Sequence, residues 1–291
     1  MLAEQLRHAQ ETKNKVVTGF INTKKARDVA QFTMPYYLAY KSRRWIGGEQ
    51  REKLSQLVDK IREGKQTPPS EQMDLISGYE VRTAGLEHLE SLKGQPFVVI
   101  SNHDTAAPFA YFSFVILINN YIKEATKQEV QWVQGSGSSI TSFFRENIVK
   151  SGNTIPVGNG MNGSKEILRA FETKKTDASE GNKAVGIYTE GETSKNRDQL
   201  REGNSRAGRV LLRAAEKEIP IVCVATWFTN GTFFLNIGEP FSLEEIDKRG
   251  KSSDDKRKSG QAAINYCMEN LAHLMPFRLR GYYNYVHPNS M

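Results

Sequence analysis

Two polar clusters carry the residue types that perform acid–base and anion chemistry. The first lies in VVISNHDTAAPF (98–109), where an apolar run ends in Ser101, Asn102, His103 and Asp104. A neutral imidazole takes a proton from an alcohol near physiological pH, and α/β folds place such groups at strand ends. His103 is therefore the candidate general base, set against the plainer reading of a structural histidine. Asp104 is the nearest carboxylate. Adjacent residues of an extended strand point to opposite faces, so Asp104 reaches the ring only from a loop or a helix start; Ser101 and Thr105 are weaker candidates for orienting it. The other histidines have weaker contexts: His8, His88 and His273 lie in helical or surface-like stretches, and His287 in the tail.

The second cluster, VGIYTEGETSKNRD (185–198), has the same shape of strand followed by polar turn. It offers Glu190, Gly191, Glu192, Thr193, Ser194 and Lys195, with Arg197 just beyond. Glycine lets a backbone approach a ligand, and hydroxyls with a cation suit phosphate or carboxylate. The plainer reading is a solvated charged loop. A third stretch, GNGMNG (158–163), fits G-x-G-x-x-G between a strand and a helix, which raises a dinucleotide site. That fingerprint normally opens the first βαβ unit, whereas this one lies in mid-chain.

Short β-rich runs must position these clusters: YEVRTAG from Tyr79, FVVIS (97–101), QWVQG (131–135), TIPV (154–157), AVGIY (184–188), IPIVCVAT (219–226) and TFFLNIG (232–238). Helical patterns separate several of them, notably GSKEILRAFETKK and SRAGRVLLRAAEKE. Alternation of strand and helix predicts an α/β fold with a central mixed sheet flanked by helices. Residues 1–75 read as a separate N-terminal helical appendage, with a charged helix in EQREKLSQLVDKIREGK and a boundary at TPPSE (67–71). The α/β domain is expected over 76–291. Its charge run KRGKSSDDKRKSG (248–260) is expected to be a loop before a final helix, GQAAINYCMENLAHLM.

Composition bounds the partners. The 291 residues include 38% hydrophobic and 25% charged residues, and the net charge is +7. That balance favours anionic partners, while mixed signs along the chain speak against a nucleic-acid binder. Cys223 and Cys267 lack metal-ligand spacing, so no metal and no disulfide framework is expected, and a reducing compartment follows. No apolar leader is visible at the N-terminus. The longest nearly apolar stretch, Ala106–Ile118, has 13 residues, short of the roughly 20 that span a bilayer. A cytoplasmic protein, peripheral to a membrane, is the expectation. FTMPYYLAYKSRRW (32–45) and MPFRLRGYYNYV (275–286) mix aromatics with cations, a composition suited to a bilayer surface.

In their order, these pieces resemble the glycerolipid acyltransferases, the superfamily of the glycerol-phosphate and lysophosphatidate acyltransferases. GLEHLESLKGQPFVVISNH (85–103) is similar to the first block of that family, GNTIPV (152–157) to the second and IYTEGETS (187–194) to the third. IPIVCVAT, with Pro220, resembles the fourth, and NIGEPFS (236–242) its usual sequel. The resemblance covers about residues 79–243. It implies acyl transfer from a thioester, acyl-CoA or acyl-carrier protein, to a hydroxyl of an amphiphilic, glycerolipid-type acceptor, with no further cofactor. His103 would be the base, and Asn102 and the third-block residues Glu190, Gly191, Glu192, Thr193, Ser194, Lys195 and Arg197 would line the substrate site.

The chain also departs from the pattern. The family's aspartate, five positions after the histidine, is replaced by Pro108, which leaves Asp104 as the nearby carboxylate. Asn159 stands where the second block commonly has arginine, Thr189 replaces the third-block proline, and Glu192-Thr193 replace Thr-Arg. Loss of an orienting carboxylate can cost orders of magnitude in rate. A catalytically inactive lipid-binding protein of the same fold is therefore the alternative expectation.

Overall fold

The structure is a computed structural model. It describes residues 48–63, 65, 67, 69–103, 107–108, 111–135, 154–157, 167, 184–190, 199–243 and 256–285. Asp104, Thr105, GNGMNG, most of GSKEILRAFETKK and the third-block residues from Gly191 to Arg197 lie outside them.

All seven β-rich runs form strands of one sheet: β1 Glu80–Ala84, β2 Phe97–Ser101, β3 Val130–Gly135, β4 Thr154–Val157, β5 Ala184–Tyr188, β6 Ile221–Thr229 and β7 Thr232–Ile237. The order across the sheet is β1-β7-β6-β2-β5-β3-β4. Neighbours are parallel except β6 and β7, which pair antiparallel. Those two are joined at Asn230-Gly231, both with positive φ, the backbone that a two-residue hairpin turn requires. This is the mixed α/β sheet expected.

β2 lies in the middle, between β6 and β5, and all five of its residues are buried. A parallel strand covered on both faces must be apolar throughout, which explains FVVIS. Side chains alternate between faces. Val98 and Ile100 join a core with Val185, Ile187, Ile221, Cys223 and Ala225. Phe97 and Val99 join another with Val222, Val224, Leu235 and Trp132.

Helices cover both faces. α1 is Gly48–Arg62, α2 Pro69–Met73, α3 Tyr111–Thr126, α4 Ser205–Ala215 and α5 Lys256–His273. Asn204 caps α4 by accepting the Arg206 N–H at 2.9 Å. The buried positions Gly208, Leu211, Leu212 and Ala215 form its helical stripe, and Ala263, Ile264, Cys267, Met268 and Leu271 form the stripe of α5; both face the Val98 side of the sheet at the spacing of an amphipathic helix. Ile118 and Ile122 of α3 pack on the other side.

One expectation needs correction. The charge run 248–260 is not loop throughout: α5 begins at Lys256, and its buried side already includes Ser259. The described part of the N-terminal region packs on the α/β domain. Leu54 and Leu57 of α1 share one apolar cluster with Leu75, Ile76, Phe114, Leu117, Phe228 and Phe233. The 75/76 boundary falls inside the 3-10 helix Asp74–Ile76, whose Leu75 and Ile76 are both buried. An amphipathic helix this short gains its stability from packing, and α3 with the β6–β7 hairpin supplies it.

α4 and α5 touch where both lack side chains. A Cβ on Gly208 would lie 1.8 Å from the Gly260 carbonyl oxygen, so any side chain there forces the helices apart. Gly208→Ala is expected to destabilise the protein by about 3 kcal/mol, the upper range for overpacking. Gly48, which has nothing within 4 Å of its Cβ position, is the control: Gly48→Ala leaves the guanidinium midpoint unchanged.

Candidate active site

His103 emerges from the carboxyl end of β2, the strand at the centre of the sheet. Three interactions fix its place. The residue before it, Asn102, is buried, and its side chain pairs with the backbone of Thr226 on β6. Asn102 Nδ2 donates to the Thr226 carbonyl at 2.7 Å, while its Oδ1 accepts from Thr226 N at 2.8 Å and from Thr226 Oγ1 at 3.2 Å. Asn102 thus extends the β2–β6 ladder beyond the last strand residue. These bonds give Asn102 a positioning role at the end of β2, with a partner 124 residues away that sequence cannot reveal.

The second interaction joins the two polar clusters. Glu190, in the turn after β5, accepts the His103 backbone N–H on Oε1 at 2.8 Å and the Arg201 backbone N–H on Oε2 at 3.1 Å. Its turn is anchored as well. The Thr189 carbonyl accepts from Asn204 N at 2.9 Å, and its hydroxyl donates to Met268 Sδ at 2.8 Å. Thr189, which stands in the proline position of the third block, is fully buried. Only 6% of Glu190 is exposed, and burial raises its pKa to about 7. The two backbone N–H groups and the charge of Arg201 act in the opposite direction. Burial prevails because desolvation penalises the charged form more than two neutral donors reward it.

The third interaction is a ring contact. The His103 imidazole meets Tyr188 edgewise, with centroids 4.7 Å apart and planes at 66°. Tyr188 in turn stacks on Trp132 of β3 at 4.6 Å and 18°. Sequence reading singled out neither aromatic. A signal was present in Gly186, since an isolated glycine inside an apolar strand marks the close approach of another group; that group is the Trp132 indole.

Pro108, in the position of the family's aspartate, is buried, and its carbonyl accepts from Ser113 Oγ at 2.6 Å at the head of α3. Ser101 Oγ lies 3.4 Å from the Asn102 carbonyl. His88 is remote in role, its Nδ1 lying 3.0 Å from the Ile237 carbonyl. The thiols of Cys223 and Cys267 are buried and their pKa values are pushed well up by burial, which removes them as thiolate nucleophiles.

Glu190 generates a pH signature. Its ordinary pKa of 4.5 applies in the unfolded chain and about 7 in the folded one. Between those values the folded state holds a proton that the unfolded state has lost, so stability falls as pH rises through this window. The contribution amounts to about 3 kcal/mol at most. Glu190→Gln is expected to remove this component: the difference in urea midpoint between wild type and variant changes between pH 4.5 and 7 and is flat above. A difference that does not vary across the window would contradict the raised pKa.

No protein-family model matches the chain, and no curated protein matches it. Among solved structures it is similar to the 1-acyl-sn-glycerophosphate (LPA) acyltransferase PlsC from Thermotoga maritima, with a TM-score of 0.40 and 14% sequence identity over 88% of this chain and 96% of that one.

Proposed function

We propose that the protein is an O-acyltransferase that moves a fatty acyl group from acyl-CoA or acyl-carrier protein to a hydroxyl of a glycerolipid-type or lysophospholipid acceptor, with His103 as general base. One observation carries the reading: Glu190 of the third sequence block holds the backbone of His103 of the first, 87 positions away. Two blocks whose order resembles that of a family of thioester-dependent transferases thus meet at the His103 backbone, at the carboxyl ends of adjacent strands, where open α/β sheets bind ligands.

The chemistry balances without a further co-reactant. The acceptor hydroxyl gives its proton to the imidazole while its oxygen attacks the thioester carbonyl carbon. The carbon–sulfur bond breaks, and the imidazolium proton passes to the departing thiolate. An ester and a free thiol result. His103→Ala is expected to lower thiol release in the presence of a lysophospholipid by about 10²–10⁴-fold, the worth of a positioned general base. Undiminished release would remove His103 from the chemistry.

Pro108 favours a second reading, a lipid-binding protein without turnover. It is distinguished by wild-type protein that releases no thiol with any acceptor and binds lysolipid equally well after His103→Ala.

The amphiphilic acceptor calls for a lipid surface as partner. No helix among the described residues is long and apolar enough to cross a membrane. The C-terminal segment supports peripheral contact: Phe277, Tyr282 and Tyr285 are 64%, 52% and 54% exposed, with exposed Arg278 among them. Arg278 Nη2 donates to Thr229 Oγ1 at 3.2 Å, at the end of β6 that also holds Asn102. Phe277→Trp is expected to add tryptophan emission that brominated phosphatidylcholine quenches in vesicles containing phosphatidylglycerol. Quenching no greater than in the wild type would remove this segment from the lipid surface.

A further inference from the structure

We infer that Tyr188 is a positioning residue for the His103 imidazole, held in place by a column of groups that runs back through Trp132 to Gly186 and Asn119. The inference deepens the acyltransferase reading and rests on it for its kinetic consequence, but not for its structural one.

The column is built from three neighbouring parallel strands. Ser101 of β2 is in register with Tyr188 of β5, and Gly186 of β5 with Trp132 of β3. Residues 184, 186 and 188 share one face of β5, while Val185 and Ile187 enter the core on the other. The Tyr188 ring therefore lies between His103 and Trp132. Centroid separations of 4.7 and 4.6 Å fall at the close end of the range in which aromatic rings attract.

Tyr188 cannot retreat from the imidazole because Trp132 is itself fixed. The indole Nε1 donates to Asn119 Oδ1 of α3 at 2.8 Å, and both residues are buried. Beneath the indole, a Cβ on Gly186 would lie 2.6 Å from Cδ2 and Cε3; only glycine leaves the indole its place. A buried indole N–H needs a partner, so Asn119 sets the orientation of Trp132, Trp132 that of Tyr188, and Tyr188 the tilt of the imidazole. Glu190 fixes where the His103 backbone is; the ring column fixes how its side chain is turned. Removing the Tyr188 ring opens rotamers to the imidazole, and a base misplaced by about 1 Å can lose about 100-fold in rate.

Two readouts test the column. The first is independent of turnover: the ring-proton resonances of His103, assigned with His103→Gln, carry ring-current displacements from Tyr188. Tyr188→Phe is expected to keep them and Tyr188→Leu to lose them; Tyr188→Met, flexible and of similar length, serves where the leucine variant does not fold. Gly186→Ala is the decisive arm, because residue 186 acts through Trp132: it is expected to move the His103 resonances as well. Resonances unchanged in folded Gly186→Ala and in a folded non-aromatic Tyr188 variant would overturn the inference.

The second readout is kinetic. kcat falls by about 10–100-fold in Tyr188→Leu with KM nearly unchanged, and Tyr188→Phe restores it to within about two-fold of wild type. A rise in KM at constant kcat would make Tyr188 a substrate contact and overturn the positioning role. Displaced resonances in a wild-type protein that releases no thiol would leave the column standing and sink the acyltransferase reading instead.

Discussion

The buried carboxylate of Glu190 is the contact on which the site's geometry depends. One oxygen holds the end of β2 through His103 N, and the other holds the segment before α4 through Arg201 N. That segment is bonded to the C-terminal tail. Leu200 N donates to the Leu279 carbonyl at 3.0 Å, Tyr282 N donates to the Leu200 carbonyl at 3.0 Å, and Gly203 N donates to the Tyr283 hydroxyl at 3.0 Å. Tyr283 is fully buried and donates onward to Asn265 of α5. Glu190 thus joins the central strand to the segment before α4, and that segment links on to the tail, more than 170 residues from β2 in sequence. A buried ionisable group needs hydrogen-bond partners, and these two backbone donors offset part of the cost of burying this acid.

The sheet was legible because its signals are local. A continuous apolar run marks a doubly covered strand, and strand-helix alternation marks the layering. His103 and Glu190 were legible for a related reason, since each follows such a run directly. What escaped was non-local or sterically determined. The Asn102–Thr226 clamp joins residues 124 positions apart. Trp132 and Tyr188 each read as ordinary strand aromatics, and only their juxtaposition across β3 and β5 makes a column. The start of α5 lies earlier than the pattern implies because SSDDKRKSG is polar, and polarity alone does not distinguish a loop from the first turn of a helix. α1 looked independent because its apolar positions are few, yet Leu54 and Leu57 suffice to dock it beside α3.

The departures from the family pattern acquire a physical meaning in this setting. Thr189 is not a loosened proline. It is buried, and it ties the turn to Met268 and Asn204. Pro108 is not an empty place either: its carbonyl fastens the approach to α3. Among the described residues, a backbone anchor and a ring contact both bear on His103.

This arrangement has a consequence for how the site tolerates change. A hydrogen-bonded carboxylate partner is directional but costly to bury, whereas a ring column is cheap to bury and depends on volume. Packing is therefore one weak point of the site. Substitutions that preserve net charge but alter volume at Gly186, Trp132 or Asn119 reach His103 through contact alone, although none of the three is a titratable group. β3 and α3, through Trp132 and Asn119, therefore bear on the orientation of His103 as much as the two polar turns do.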